Sequence, residues 1–136
     1  MHIGDFIVCR EVTLKPDGTH SITGVGADIF PFDSFPAPAV VPIYVVVLGD
    51  HESADHHLLI QVSDSAGELV TESLQPVRWP TTRPEVLPVG WEMRMATGLR
   101  LEVTFAEPGP YLLEASVDGG GQSLTHPIFI EASGRQ

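Results

Sequence analysis

The stretch VVPIYVVVL, residues 40–48, decides the fold of this chain. It is an almost unbroken apolar run, rich in β-branched valines and too short to cross a membrane as a helix. Runs of this length and composition are typical of strands that are buried on both faces. We therefore predict a central strand, with Pro42 at a bulge or before the pairing begins, because proline cannot donate a ladder hydrogen bond.

The sequence on either side of this run is divided into short alternating segments by twelve prolines and thirteen glycines. The predicted strands, each ended by turn residues, cover residues 5–15, 19–25, 57–63, 68–75, 91–95, 99–105, 111–117 and 123–132. Residues 28–38 hold three phenylalanines and three prolines and are predicted to be a stiff extended connection. This pattern predicts that residues 1–136 form a single all-β domain, a two-sheet antiparallel sandwich with seven to nine strands.

The most specific local signal is Tyr111, which follows Pro108-Gly109-Pro110 at the start of a predicted strand. In immunoglobulin-like sandwiches a tyrosine at this place bonds back across the corner, two residues before the position where antibody domains have a cysteine. That position is Leu113 here, which suits an apolar core without a disulfide. The expected sandwich is therefore immunoglobulin-like.

Three further features are shared with a known group of proteins. They are Cys9 followed by a hairpin at Asp17-Gly18, the Phe35-Pro36-Ala37 element before a long apolar strand, and the ending Val117-Asp118-Gly119. In these features the chain resembles a family of small bacterial β-sandwich domains of unknown function. The resemblance implies the fold and implies no activity.

Net charge, cysteine content and the N-terminal sequence each support one expectation. Seven basic against eighteen acidic residues give a net charge of −11, which disfavours nucleic acid and anionic membrane surfaces as partners. The one cysteine, Cys9, lies in an apolar run and is predicted to be a packed core residue. No secretory leader is recognised, so a cytoplasmic location is the default expectation.

The first candidate site is the loop of residues 49–57, which is rich in histidine and carboxylate side chains. Imidazole and carboxylate groups are ligands for zinc and similar ions. The candidate ligands are His51, Asp55 and His57, whose spacing matches no known zinc motif. The alternative is a solvated turn between two strands.

The second candidate site is the region of residues 76–94, which combines cationic and aromatic side chains on an acidic protein. The candidate binding residues are Arg78, Trp79, Arg83 and Trp91. Arginine and tryptophan are enriched at binding hot spots, and an acidic peptide or protein would be the matching ligand. The alternative is that both tryptophans cover an open edge or end of the sandwich.

A third candidate is the set of phenylalanines Phe30, Phe32 and Phe35. They would form either an exposed apolar patch for a partner or, as we expect for at least two of them, the bottom of the core.

No catalytic signature and no cofactor motif is found, so no catalytic residue and no cofactor is predicted. The leading hypothesis is a non-catalytic interaction module. The competing hypothesis is a metal-binding protein or metal-dependent hydrolase that uses the loop between His51 and His57. A third is a structural subunit of a phage-like or secreted assembly, and an exposed apolar edge strand would favour a homodimer by strand pairing.

Overall fold

The computed structural model describes residues 1–49, 56–77, 88, 90–118 and 120–133. These residues form ten strands: β1 (His2–Val8), β2 (Glu11–Leu14), β3 (His20–Thr23), β4 (Ile29–Phe32), β5 (Ala37–Gly49), β6 (His56–Ser63), β7 (Leu69–Val77), β8 (Met93–Phe105), β9 (Gly109–Val117) and β10 (Gly120–Ala132). No helix long and apolar enough to cross a membrane occurs in the described part of the chain.

The strands form two main sheets and one separate hairpin. One sheet has the order β1-β5-β8, the other has the order β4-β10-β9-β6-β7, and β2 pairs with β3. The two sheets pack face to face over one apolar core, to which all eight strands of the two main sheets contribute buried side chains that include Ile43, Leu58, Phe105 and Ile130. The predicted all-β sandwich is therefore confirmed.

The apolar run of residues 40–48 lies in β5, the middle strand of the three-stranded sheet. Pro42 lies inside β5 and pairs in register with Arg100 of β8. Its carbonyl accepts a hydrogen bond from the N–H of Cys9 at 3.0 Å. Because the N and O of one strand residue point to the same side, the missing N–H of Pro42 faces β1, whose ladder ends at Val8. The prediction that Pro42 lies at a bulge or before the pairing is therefore wrong for the β8 side, where the ladder runs through Pro42 without a register shift, and holds only on the β1 side.

The outer face of β5 is covered by the hairpin of β2 and β3. The His20 and Tyr44 rings lie 5.3 Å apart, and Val12 is buried against β8. A Cβ atom on Gly98 would lie 2.7 Å from Val12 Cγ2, so the hairpin needs glycine there. Because the hairpin covers its outer face, β5 of the three-stranded sheet carries apolar residues on both faces.

Three predicted features differ from the structure. The first predicted strand is divided at Cys9 and Arg10, where the chain leaves the sheet for the hairpin. The extended connection of residues 28–38 contains β4, which pairs with β10 in a parallel direction. The two predicted strands 91–95 and 99–105 are a single strand, β8. The two additions and this one merger give ten strands instead of seven to nine, and one strand pair is parallel instead of antiparallel.

Two predictions for single side chains are confirmed. The hydroxyl of Tyr111 donates a hydrogen bond to the backbone carbonyl of Glu107 at 2.7 Å, which is the bond expected of a corner tyrosine. Cys9 is fully buried, and burial raises the pKa of its thiol, which disfavours the reactive thiolate.

Candidate functional site

The predicted metal loop is only partly described. His51 and Asp55 lie outside the described residues, whereas His57 lies near the start of β6, exposed and opposite Pro76 of β7. Within the described residues, no group of three His, Cys, Asp or Glu side chains is arranged to hold a metal ion.

The buried histidine at this end of β6 is His56, which the sequence prediction did not select. Its side chain is turned into the protein, and the residue is 8% exposed. Its Nδ1 lies 2.5 Å from Oδ2 of Asp118 in the turn between β9 and β10. Alternation along β6 was the signal that could have found it, because Leu58, Ile60 and His56 share the inner face.

Asp118 joins two parts of the five-stranded sheet through side chain and backbone. Its Oδ1 accepts a hydrogen bond from the N–H of His57 at 2.9 Å, and its own N–H donates to the carbonyl of His57 at 2.9 Å. Its φ of 56° is in the left-handed region, which aspartate tolerates better than most residues. The turn is thereby fixed to the start of β6.

The electrostatics of this pair follow from its contacts. Burial raises the pKa of Asp118, but the hydrogen bonds from His56 and from the N–H of His57, together with the electrostatic attraction of both histidines, outweigh it. The net result is a pKa below the ordinary aspartate value, so the carboxylate is ionised at neutral pH. An ionised carboxylate that accepts from Nδ1 fixes the tautomer and the orientation of the His56 ring.

The predicted cationic and aromatic site is also partly described. Arg78, Trp79 and Arg83 lie outside the described residues. Trp91 is 63% exposed, and its backbone N–H donates to the carbonyl of Pro88 at 3.1 Å. Met93, two residues later, is buried. Trp91 is therefore mostly at the surface, while Trp79, the other tryptophan of the alternative, lies outside the described residues.

The phenylalanine segment mainly closes the core, as expected. Phe30 is buried, and the half-buried Phe32 ring lies 6.1 Å from the Phe105 ring and 6.5 Å from the Phe35 ring. Exposed apolar side chains occur nearby at Ile29 and Phe129, which the sequence prediction did not select.

A cleft opens on the side of the sandwich between β7 and β8. Its volume is about 560 Å³, and its lining includes Val70 and Thr71 on one wall and Ala39, Glu102 and Val103 on the other. Both strands lie at the end of their sheet's strand order among the described residues. Strand edges of this kind offer backbone groups to an added strand.

Comparison with known proteins gives no family for this chain. A scan against protein-family models finds no match. No curated protein is significantly similar in sequence.

Proposed function

We propose that this protein is a non-catalytic interaction module on an immunoglobulin-like frame. The observation that carries the proposal is Trp91, a large aromatic side chain held at the surface directly before β8. Exposed tryptophan is uncommon and is enriched at the centres of protein interfaces. Arg94, three residues later, is exposed as well and adds a cation to the same region.

Strand order supports the immunoglobulin-like part of this proposal. The order β10-β9-β6-β7 corresponds to strands G, F, C and C′ of variable-type domains, and β1-β5-β8 corresponds to A, B and E. The bond from Tyr111 to Glu107 lies at the corner between the counterparts of E and F. In such domains the frame holds a binding region in place, and the recognition residues lie in connecting segments.

The ligand that fits this region is an acidic peptide or protein. Arg78, Trp79 and Arg83 are contributed by the segment that leads to Trp91, so the region combines aromatic and cationic side chains in sequence. Arginine pairs with carboxylates through two parallel hydrogen bonds, and tryptophan supplies buried apolar area.

A pull-down from the native host with matched variants tests the proposal. Arg78→Glu/Arg83→Glu and Trp91→Ala are expected to lose proteins that the wild type retains, because each removes one part of the contact. Lys15→Glu, an exposed charge reversal in the hairpin turn, is the control and is expected to retain them. Recovery of the same proteins with all four forms would contradict the proposal.

A second candidate function is metal binding, or metal-dependent hydrolysis, by His51, Asp55 and His57. One observation favours it: the ionised Asp118 carboxylate, which accepts hydrogen bonds from His56 Nδ1 and the His57 N–H, places oxygen atoms next to the end of this loop, and carboxylate oxygen is a ligand type that such metals accept. Elemental analysis of untagged protein and thermal unfolding with added zinc test it. Stoichiometric metal and a raised unfolding temperature support the site, whereas neither metal nor a shift removes it.

A further inference from the structure

The outer face of the five-stranded sheet carries a contiguous set of exposed apolar side chains. Phe129 of β10 pairs with Ile29 of β4 on one side and with Pro110 of β9 on the other. Leu112 and Pro127 pair with each other in the next row of the same face. We call these five residues the outer patch.

The exposure of the outer patch is that of a surface and not that of a core. Phe129 is 47% exposed and Ile29 is 45% exposed, although their neighbours Ile128 and Phe30 are buried on the inner face. Neighbouring strands lie about 4.8 Å apart, so the row from Ile29 to Pro110 spans roughly 10 Å of sheet. Contiguous apolar surface of this kind marks interaction sites more often than scattered single residues do.

Carboxylates lie at both ends of the outer patch. On β9, Glu114 follows Leu112 on the same face, and on β10, Glu131 follows Phe129 on the same face. Glu72 of β7 belongs to the same cross-strand row as Glu114, with Gln61 between them. The polar surroundings of the outer patch are therefore acidic.

Basic side chains are absent from this sheet. None of the five strands contains a lysine or an arginine. The basic residues in the described part of the chain lie in the hairpin region, as Arg10 and Lys15, or on β8 of the other sheet, as Arg94 and Arg100. Carboxylates occur on both sheets, for example Glu102 on β8, whereas the described lysine and arginine residues lie outside the five strands. Arg10 reaches the edge of the outer patch, where its guanidinium donates a hydrogen bond to the carbonyl of Ile29 at 2.8 Å.

We infer that the outer patch is a docking surface for a basic protein segment with apolar anchors. Apolar side chains of the partner would cover Phe129 and Ile29, and its basic side chains would pair with Glu114 and Glu131. A carboxylate beside an apolar contact is shielded from water when a partner docks, which strengthens its attraction to a cation. This inference concerns another surface and a partner of opposite charge, so it stands apart from the region around Trp91.

The spacing of the two carboxylates predicts the spacing of the basic residues in the partner. Glu114 lies opposite Thr125, and Glu131 is six residues further along β10. At about 3.4 Å per residue the two carboxylates lie roughly 20 Å apart along the strand direction. An extended segment with two basic residues at this separation and apolar residues on the same face between them matches the surface.

Titration of the isotope-labelled protein with synthetic peptides, followed by NMR, tests the inference. The first peptide carries two arginines at this separation with leucine and phenylalanine on the same face between them. In the second, serine replaces the two apolar residues, and in the third, glutamate replaces the arginines. The first peptide is expected to shift backbone signals of β4, β9 and β10 and to bind at least tenfold more tightly than the other two.

Matched variants locate the contact. Phe129→Ser and Glu131→Lys are each expected to weaken binding of the first peptide roughly tenfold, which is the effect of losing a principal interface contact. Leu14→Ser and Glu102→Lys, which alter exposed apolar and acidic residues outside this sheet, are expected to leave it unchanged.

Each of four results would overturn the inference. They are absence of binding, equal binding of the peptide without apolar residues, signal shifts confined to other surfaces, and shifts of the outer patch on concentrating the protein alone, which would make a second copy its occupant. Trp91→Ala is expected to bind the first peptide normally, so failure here is distinguishable from failure of the proposal for that region.

Discussion

Asp118 connects the turn between β9 and β10 to the first residues of β6. Its pKa is lowered in the folded protein, because the hydrogen bonds from His56 and His57 outweigh the effect of burial. A carboxylate with a depressed folded pKa contributes stability above its unfolded pKa of about 3.9, and this stability is lost as the pH falls through the folded pKa. Acid should therefore weaken this part of the fold.

Asp118→Asn tests this effect, because asparagine also tolerates the left-handed backbone. We expect the variant to lose about 1 kcal/mol of unfolding free energy at pH 7, a discounted value since the Asp118 side chain is 42% exposed. The difference from wild type should shrink below about pH 4. Urea unfolding across this pH range measures it, with Glu102→Gln as control, and a difference that does not depend on pH would contradict the account.

Gly24 and Gly26 provide a matched pair at the end of the hairpin. Both have positive φ, 67° and 74°, but a Cβ atom on Gly24 would meet the Arg10 side chain, whereas one on Gly26 would meet nothing within 4 Å. Gly26→Ala should therefore cost only the backbone strain of about 1–2 kcal/mol. Gly24→Ala should cost at least about 1 kcal/mol more, because Arg10 must also move. Equal losses in denaturant unfolding would show that the contact with Arg10 is unimportant.

At the scale of elements, the corner before β9 depends on one hydroxyl. Tyr111→Phe removes the half-buried bond to Glu107 and should lower the free energy of unfolding by about 1–1.5 kcal/mol. Tyr44→Phe is the matched control, since the Tyr44 hydroxyl accepts an exposed bond from Arg94 and should matter little. Chemical denaturation compares the two, and a larger effect at Tyr44 would contradict the role given to the corner.

The strands that the sequence predicted well are those with plain alternation. Alternation is seen in β6, β7 and the second half of β8, where one face is more buried than the other. The hairpin at Asp17-Gly18 was predicted from its turn residues. The position of β4 could not be predicted in this way. Pro31 argues against a strand unless it lies at a sheet edge, and only the folded structure supplies that edge.

Candidate sites were less predictable than strands. In the segment around Ile128, Phe129 and Ile130 all three residues are apolar, so the sequence does not say which one faces solvent. The burial of His56 depends on Asp118, which is distant in sequence and is brought close by the pairing of β6 with β9. The sequence likewise does not say that Trp91 is exposed while Met93, two residues later, is buried.

At the scale of the whole molecule, lysine and arginine residues are distributed unevenly over the described surface. None lies on the five strands of the larger sheet, while Arg94 and Arg100 lie on the opposite sheet, which also carries the carboxylate of Glu102. A partner of one charge should therefore bind one side of the sandwich, and its affinity should fall as salt screens the attraction.

The central claim is that Trp91 and Phe129 serve partners and not folding. Denaturant unfolding of the Trp91→Ala/Phe129→Ser double variant, beside Phe105→Ala in the core, tests it most directly. We predict that the double variant loses no more than about 1–2 kcal/mol of unfolding free energy, because Trp91 is 63% and Phe129 47% exposed, whereas replacement of the fully buried Phe105 by alanine costs about 3–5 kcal/mol. A double variant as unstable as Phe105→Ala would contradict the claim, since both side chains would then belong to the packed interior.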